Sequence, residues 1–223
     1  MLSRAEAILG SEKLRKLANS HILIAGLGGV GGHCLETLAR MGVRKFTVVD
    51  CDRFEASNMN RQLLCTQKTL GMLKTDAAVL RLRELDDSIE VKAFSVFIDS
   101  SNADALLDGV DLVADAIDSI DSKCLLISRC IEKKIKIVSS MGAALRSDPT
   151  KVRTGDISDV YGCPLAKQVR KKLKDYGITE GVPCVFSPEK TLPVTDGILG
   201  SLPSVTGTFG LVLAQLAADI LKV

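Results

Sequence analysis

Residues 21–41 read HILIAGLGGVGGHCLETLARM. An apolar, partly β-branched run enters a glycine cluster, and apolar residues then recur at helical spacing. A strand, a glycine-rich turn and a helix in that order admit few folds. The helix must cross back over a sheet and deliver the next strand parallel to the first. Gly26, Gly28 and Gly31 keep G-x-G-x-x-G spacing, which lets main chain approach a phosphate at the helix N-terminus. The question is whose phosphate that is, a dinucleotide's or that of ATP.

The alternation continues along the chain. Strand patterns fall at 21–25, 45–49, 90–94, 111–116 and 135–139, and helical patterns at 7–18, 30–41, 72–86, 101–108 and 121–133. Near-continuous apolar strands separated by helices predict an α/β, Rossmann-like, predominantly parallel sheet with helices on both faces. Such sheets bind ligands beyond the carboxyl ends of their strands. Three polar strand ends therefore matter: the glycine turn after residue 25, DCD after 49, and DAIDS from 114. Past residue 145 come a turn and strand (LRSDPTKVRTGDI), a helix over 163–175 opening at Pro164, a short strand (VPCVFS) and a long Pro/Gly-rich loop. The apolar stretch from Val205 to Leu221 contains Gln215 and Asp219 and reads as a buried helix, not a membrane anchor.

Composition narrows the class. Hydrophobic residues make up 46% of the 223, enough for a sizeable core, and the net charge of +2 admits a nucleic-acid partner only through a local basic cluster. Tryptophan is absent and aromatic residues are scarce, which argues against a base-stacking platform. The cysteines, at 34, 51, 65, 124, 130, 163 and 184, form no C-x-x-C pair, so no zinc site is expected. An odd, scattered set reads as reduced thiols in a cytoplasmic protein, and the N-terminus has no apolar signal core. Cys163 reads as a helix-entry residue and Cys184 as core; neither histidine, His21 or His33, stands where a catalytic one is expected.

The residues after the first acidic strand end favour ATP. Asp50 suits ribose hydroxyls in either reading. Asn58, Asn60, Arg61 and Gln62 follow in DCDRFEASNMNRQLL, where a dehydrogenase needs only a plain crossover. Arg61 offers a planar fork for phosphate oxygens, and Lys74 opens a helix where a cation can reach a nucleotide phosphate. Asp115 and Asp118 end a buried strand, where one carboxylate can hold Mg²⁺ against phosphates while another is merely satisfied locally. Asp52 reads equally as a turn cap.

GLGGVG, VDCDRFEASNMNRQ, GMLKTDAA and DAIDSIDSKCLL resemble the ThiF/MoeB superfamily of adenylating enzymes, densely over residues 4–145. The resemblance implies an ATP-binding adenylation core over 1–145, with 146–223 as the C-terminal part of the same domain. It implies nucleotide contacts at Gly26, Gly28, Gly29, Gly31 and Asp50, phosphate contacts at Asn58, Arg61 and Lys74, and Mg²⁺ at Asp118. Arg61, Lys74 and Asp118 would carry the catalysis. Arg4, in SRAEAILG, is similar to an N-terminal arginine that reaches a γ-phosphate across a dimer interface. The chemistry implied is attack of a carboxylate on the α-phosphate, which gives an acyl adenylate and replaces an oxide leaving group with AMP.

The C-terminal third selects among carboxylates. DISDVYGCPLAKQVRKKLKDYGI, VPCVFSPE and LGSLPSVTGTFGLVLAQLAADIL resemble the TcdA/CsdL group of tRNA threonylcarbamoyladenosine dehydratases. That resemblance implies ATP-driven ring closure of the threonylcarbamoyl side chain on a tRNA adenosine. It also implies a homodimer and leaves room for a sulfur-transfer partner protein. On the helix over 163–175, Lys167, Arg170, Lys171, Lys172 and Lys174 fall mostly off the apolar face; with Arg153 they form a basic surface for tRNA phosphates, or a solvated face. Three other readings stay open, one of them a nucleotide-binding scaffold without turnover. A sulfur-carrier or ubiquitin-like adenylating enzyme would be marked by zinc and a Gly-Gly tail, and a nicotinamide oxidoreductase would have no use for Arg61 or Lys74.

Overall fold

All five residues of β1 (His21–Ala25) are buried, so this strand lies at the centre of a sheet covered on both faces. The computed structural model describes residues 2–221; residues 1, 222 and 223, at the outer ends of the two expected parts, lie outside the described residues. The other strands are β2 (Lys45–Val49), β3 (Glu90–Phe94), β4 (Leu112–Asp115), β5 (Lys136–Ser140), β6 (Arg153–Asp156) and β7 (Pro183–Phe186). They form one sheet in the order β3-β2-β1-β4-β5-β7-β6. Every pairing is parallel except that of β6 with β7. Strand order reverses between β1 and β4, which opens a crevice at their carboxyl ends.

Side-chain alternation assigns the two layers. Ile22 and Ile24 of β1 pack into one cluster with residues of α3 (Gly31–Met41), α4 (Lys74–Leu85) and α8 (Pro203–Leu221). Leu23 and Ala25 face the opposite cluster, with residues of α5 (Ala103–Leu106), α6 (Ile120–Glu132) and α7 (Pro164–Leu173). Each fully buried aliphatic side chain contributes roughly 1.5–3 kcal/mol. α8 is apolar and long enough to cross a membrane by length and composition, yet Val205, Phe209, Leu213 and Ala217 are buried in the first cluster. A core helix gives the same sequence signal as a span.

Two helices differ from the pattern-based expectation. The stretch over 7–18 is two helices, α1 (Ser3–Leu9) and α2 (Ser11–Asn19), because Gly10 adopts φ +78° between them. The helix over 101–108 shrinks to α5, because Asp99 accepts hydrogen bonds from the Ser101 N–H and hydroxyl and holds that stretch in a turn. The long loop ahead of α8 is tied down at Leu145, whose N–H donates to Gly200 O and whose carbonyl accepts from Leu192 N–H, both at 2.8 Å.

Candidate active site

A cavity of about 860 Å³ lies over the carboxyl ends of β1, β2, β4 and β5. Its floor is the glycine turn. An added Cβ at Gly31 would sit 1.8 Å from the Gly26 carbonyl oxygen, and one at Gly26 would meet the Ala116 carbonyl at 2.8 Å. These glycines therefore let α3 start against the strand end, and Gly31 acts from behind the surface that Gly26, Gly28 and Gly29 expose.

Four helices open onto this cavity. Residues at the starts of α3, α4, α6 and α7 line it, and the N-cap residues Val30, Leu73, Ser119 and Cys163 make no side-chain capping bond. The positive ends of four helix dipoles therefore meet at the site, an arrangement that favours anions.

Asp50 follows β2 and is held in place. Its Oδ2 accepts from Leu27 N–H at 2.7 Å and its Oδ1 from Asp52 N–H at 2.9 Å. Burial pushes its carboxyl above the usual range against the pull of Lys74. Lys74 opens α4 with a side chain only 8% exposed; its Nζ lies 2.8 Å from Asp52 Oδ2 and 3.8 Å from Asp50 Oδ1. The Lys74 hydrogen bond holds the Asp52 carboxyl below its ordinary value. Asp52 is thus the counter-charge of Lys74. Asp50, Cys51 and Asp52 cluster closely enough to bracket a cation, but Lys74 already fills that role.

Arg61 donates from Nη1 to Ser57 O and Asn60 Oδ1, each at 2.9 Å. Asn58 Oδ1 accepts from Glu55 N–H and fixes the 3₁₀ turn over Ala56–Asn58 that carries Arg61. Asn60 donates to Ser201 O, which joins this segment to the loop before α8. Asp118 lines the same cavity, is exposed, and makes no hydrogen bond among the described residues. A free carboxylate fits Mg²⁺, which keeps several waters and takes one or two carboxylates beside phosphate oxygens. Asp115, the other strand-end candidate, is fully buried and paired with Lys123 Nζ at 2.5 Å, so it is the locally satisfied carboxylate.

The other side of the cavity is lined by Ser140–Leu145, by Cys163, Pro164 and Leu165 at the start of α7, and by Thr191 and Leu199. Small side chains predominate. Arg146, which the sequence patterns did not single out, holds this side together. It is 2% exposed, and its guanidinium donates to the carbonyls of Gly142, Gly162 and Glu189. In return the Glu189 carboxylate accepts from Ser147 N–H and hydroxyl and from Asp148 N–H. Gln62 also lines the cavity, and its Oε1 is buried without a partner.

The structure places four further expected site residues away from the cavity or in local bonds. Arg4 is exposed on α1 and does not line the cavity of its own chain. Arg170 is half-buried and donates to the carbonyls of Ile157 and Val160, because α7 packs its flank on that loop. Lys172 pairs with Asp121 of α6, and Arg153 is engaged with the carbonyls of Thr150 and Val152. Lys167, Lys171 and Lys174 remain exposed, at spacings of four and three that put them on one stripe of α7 and its following turn. All seven cysteines are free thiols.

The ThiF family model matches residues 2–222. The chain is 38% identical to the tRNA threonylcarbamoyladenosine dehydratase of Bacillus subtilis over 197 residues, covering 88% of this chain and 78% of that protein. It is 32% identical to the Escherichia coli protein of the same description, covering 94% and 89%. The crystal structure of the E. coli dehydratase in complex with AMP superposes with a TM-score of 0.94 over 98% of this chain and 92% of that one, at 33% identity; its complex with ATP gives 0.93. The glycine turn, Asp50, Arg61, Lys74 and the free carboxylate of Asp118 thus share a cavity in a chain similar along its length to these enzymes. The chain belongs to the ThiF family.

Proposed function

We propose that this protein uses ATP to activate the threonyl carboxylate of threonylcarbamoyladenosine in tRNA and closes it to the cyclic form. The observation that carries this reading is the meeting of Arg61, Lys74 and the unpartnered Asp118 beside the glycine turn. Similarity to the dehydratases over nine-tenths of the chain supports the choice of substrate.

In this reading Asp50 holds the ribose, and the turn's N–H groups and α3 hold phosphate oxygens. Arg61 and Lys74 neutralise charge that develops as the substrate carboxylate attacks the α-phosphate and pyrophosphate leaves. Phosphate draws Lys74 away from Asp52. Asp118 would hold Mg²⁺, which supplies further charge neutralisation at the phosphates when bound. An atom of the same threonylcarbamoyl side chain then displaces AMP. The oxygen lost from the carboxylate departs in AMP and the attacking atom gives up its proton, so cleavage of ATP to AMP and pyrophosphate takes up the elements of one water.

The stripe of Lys167, Lys171 and Lys174 leads away from the cavity mouth at Cys163–Leu165 and suits tRNA phosphates without reading sequence. The enzyme works in the reducing cytoplasm as a homodimer, in which Arg4 serves the partner's nucleotide.

The test is the mass of the modified nucleoside after incubation of modified tRNA with protein, ATP and Mg²⁺. Loss of one water, dependent on ATP and reduced at least about 100-fold in Asp118→Ala, is the expected outcome. An unchanged mass with verified substrate would refute the assignment, and full activity of Asp118→Ala would remove Asp118 from the site.

A further inference from the structure

Beneath the cavity floor, Asp115 at the end of β4 and Lys123 of α6 form an ion pair in which both side chains are 0% exposed. All three ammonium protons of Lys123 have partners: Asp115 Oδ2 at 2.5 Å, Ser139 Oγ at 3.2 Å and Ser140 O at 3.0 Å. Ser139 in turn donates to Asp115 Oδ2 at 2.6 Å. The other oxygen, Asp115 Oδ1, accepts from the N–H of Ile117, the residue before Asp118. Asp115, Lys123 and Ser139 are all fully buried.

A desolvated ion pair contributes little net stability, since an apolar pair of similar volume often serves as well or better. What sets this pair apart is what it joins. Ile117 N–H belongs to the loop that carries Asp118 on the nucleotide side. Ser140 O opens the loop Ser140–Leu145 on the opposite side. Three charged and polar side chains thus tie the two walls together from below, through bonds with fixed directions that apolar contacts lack.

We propose that Asp115, Lys123 and Ser139 are a positioning unit that sets the spacing between the Asp118 loop and the Ser140–Leu145 loop, and through it the approach of the acceptor carboxylate to the α-phosphate. This rests on the adenylating reading of the cavity. The unit touches neither substrate. Its loss therefore lowers kcat and leaves ATP binding at the glycine turn intact.

The decisive variant is Asp115→Leu with Lys123→Met, which replaces the pair by apolar volume; Ser139→Ala, which removes one hydroxyl, accompanies it. Thermal unfolding, ATP affinity by calorimetry, kcat and KM for modified tRNA, and amide hydrogen exchange are measured for each. The expected result is a folded double variant with parental ATP affinity and kcat reduced about 100-fold, the scale of a misplacement near 1 Å. Ser139→Ala moves in the same direction by less. Parental kcat in a folded double variant overturns the proposal. If the double variant does not fold, parental kcat in Ser139→Ala overturns it. If the parent protein itself shows no ATP-dependent dehydration, the functional reading fails on its own, and hydrogen exchange then decides the inference. Faster exchange at Gly142–Leu145, with Gly26–Val30 unchanged, supports the positioning unit, and unchanged exchange at both refutes it.

Discussion

The two walls of the cavity are built on different principles. The wall we assign to the nucleotide carries charged and polar side chains along β1–α4, Asp50, Asn58, Arg61 and Lys74, each held by a hydrogen bond or ion pair to another residue of the same stretch. The wall we assign to the acceptor is made mostly of small residues after β5 and before α7, held by Arg146 and Glu189, whose bonds reach up to 43 residues along the chain. Side chains serve the part of the reaction that is constant, since every triphosphate presents the same charges. In the reading proposed above, shape serves the part that must select one carboxylate.

The comparison breaks most severely at its shared base. Gly31→Ala places a methyl against the Gly26 carbonyl at a separation no contact tolerates, so α3 cannot start there. Destabilisation beyond about 4 kcal/mol, read from urea unfolding, is expected, with loss of both walls. Ala144→Phe addresses the acceptor wall alone. Ala144 lines the cavity, and a phenyl ring there takes the substrate's space. Affinity for modified tRNA should fall about tenfold while ATP affinity stays parental; equal losses of both would show that the walls are not separable.

Smaller effects sharpen the picture. Neutralising the exposed stripe with Lys167→Gln and Lys171→Gln should weaken tRNA binding and lower its log–log salt slope by about two, with no change for free nucleotide. An unchanged slope would return the stripe to a solvated face. The smallest effect lies behind the nucleotide wall, where Glu36 of α3 binds Arg81 of α4 at 2.8 Å and also Arg40. Burial raises the Glu36 pKa, but these two arginines outweigh it and hold the carboxyl below its ordinary value. A depressed folded pKa contributes stability above the unfolded value of about 4.3 and loses it as pH falls through the folded one. Glu36→Gln should therefore flatten the acid limb of stability below about pH 4 in urea midpoints across a pH series.

The contrast also explains what was legible. The nucleotide wall could be read because its residues lie within one stretch from Gly26 to Lys74, where local spacing equals spatial neighbourhood. The strand-end rule for parallel sheets brought in Asp115 and Asp118 alike, and only the family resemblance chose Asp118. Asp115 and Asp118 stand three apart with similar neighbours, yet one is buried against Lys123 and the other is free in the cavity. No local pattern separates them, because the partner of Asp115 is reached only when α6 docks on β4 and β5. Arg170 and Lys172 show the same limit: both are basic positions on α7, but Ile157 and Val160 claim one and Asp121 the other only after the chain has folded.

The succession of strands and helices, the glycine turn and the positions of Asp50, Arg61 and Lys74 after it were determined by the sequence alone, since periodicity, backbone sterics and short-range spacing are properties of neighbours along the chain. Which carboxylate stays free, which cations remain exposed and how Arg146 closes the acceptor wall were decided by tertiary structure. Desolvation and pairing depend on groups that lie far apart in sequence and meet only in the folded core.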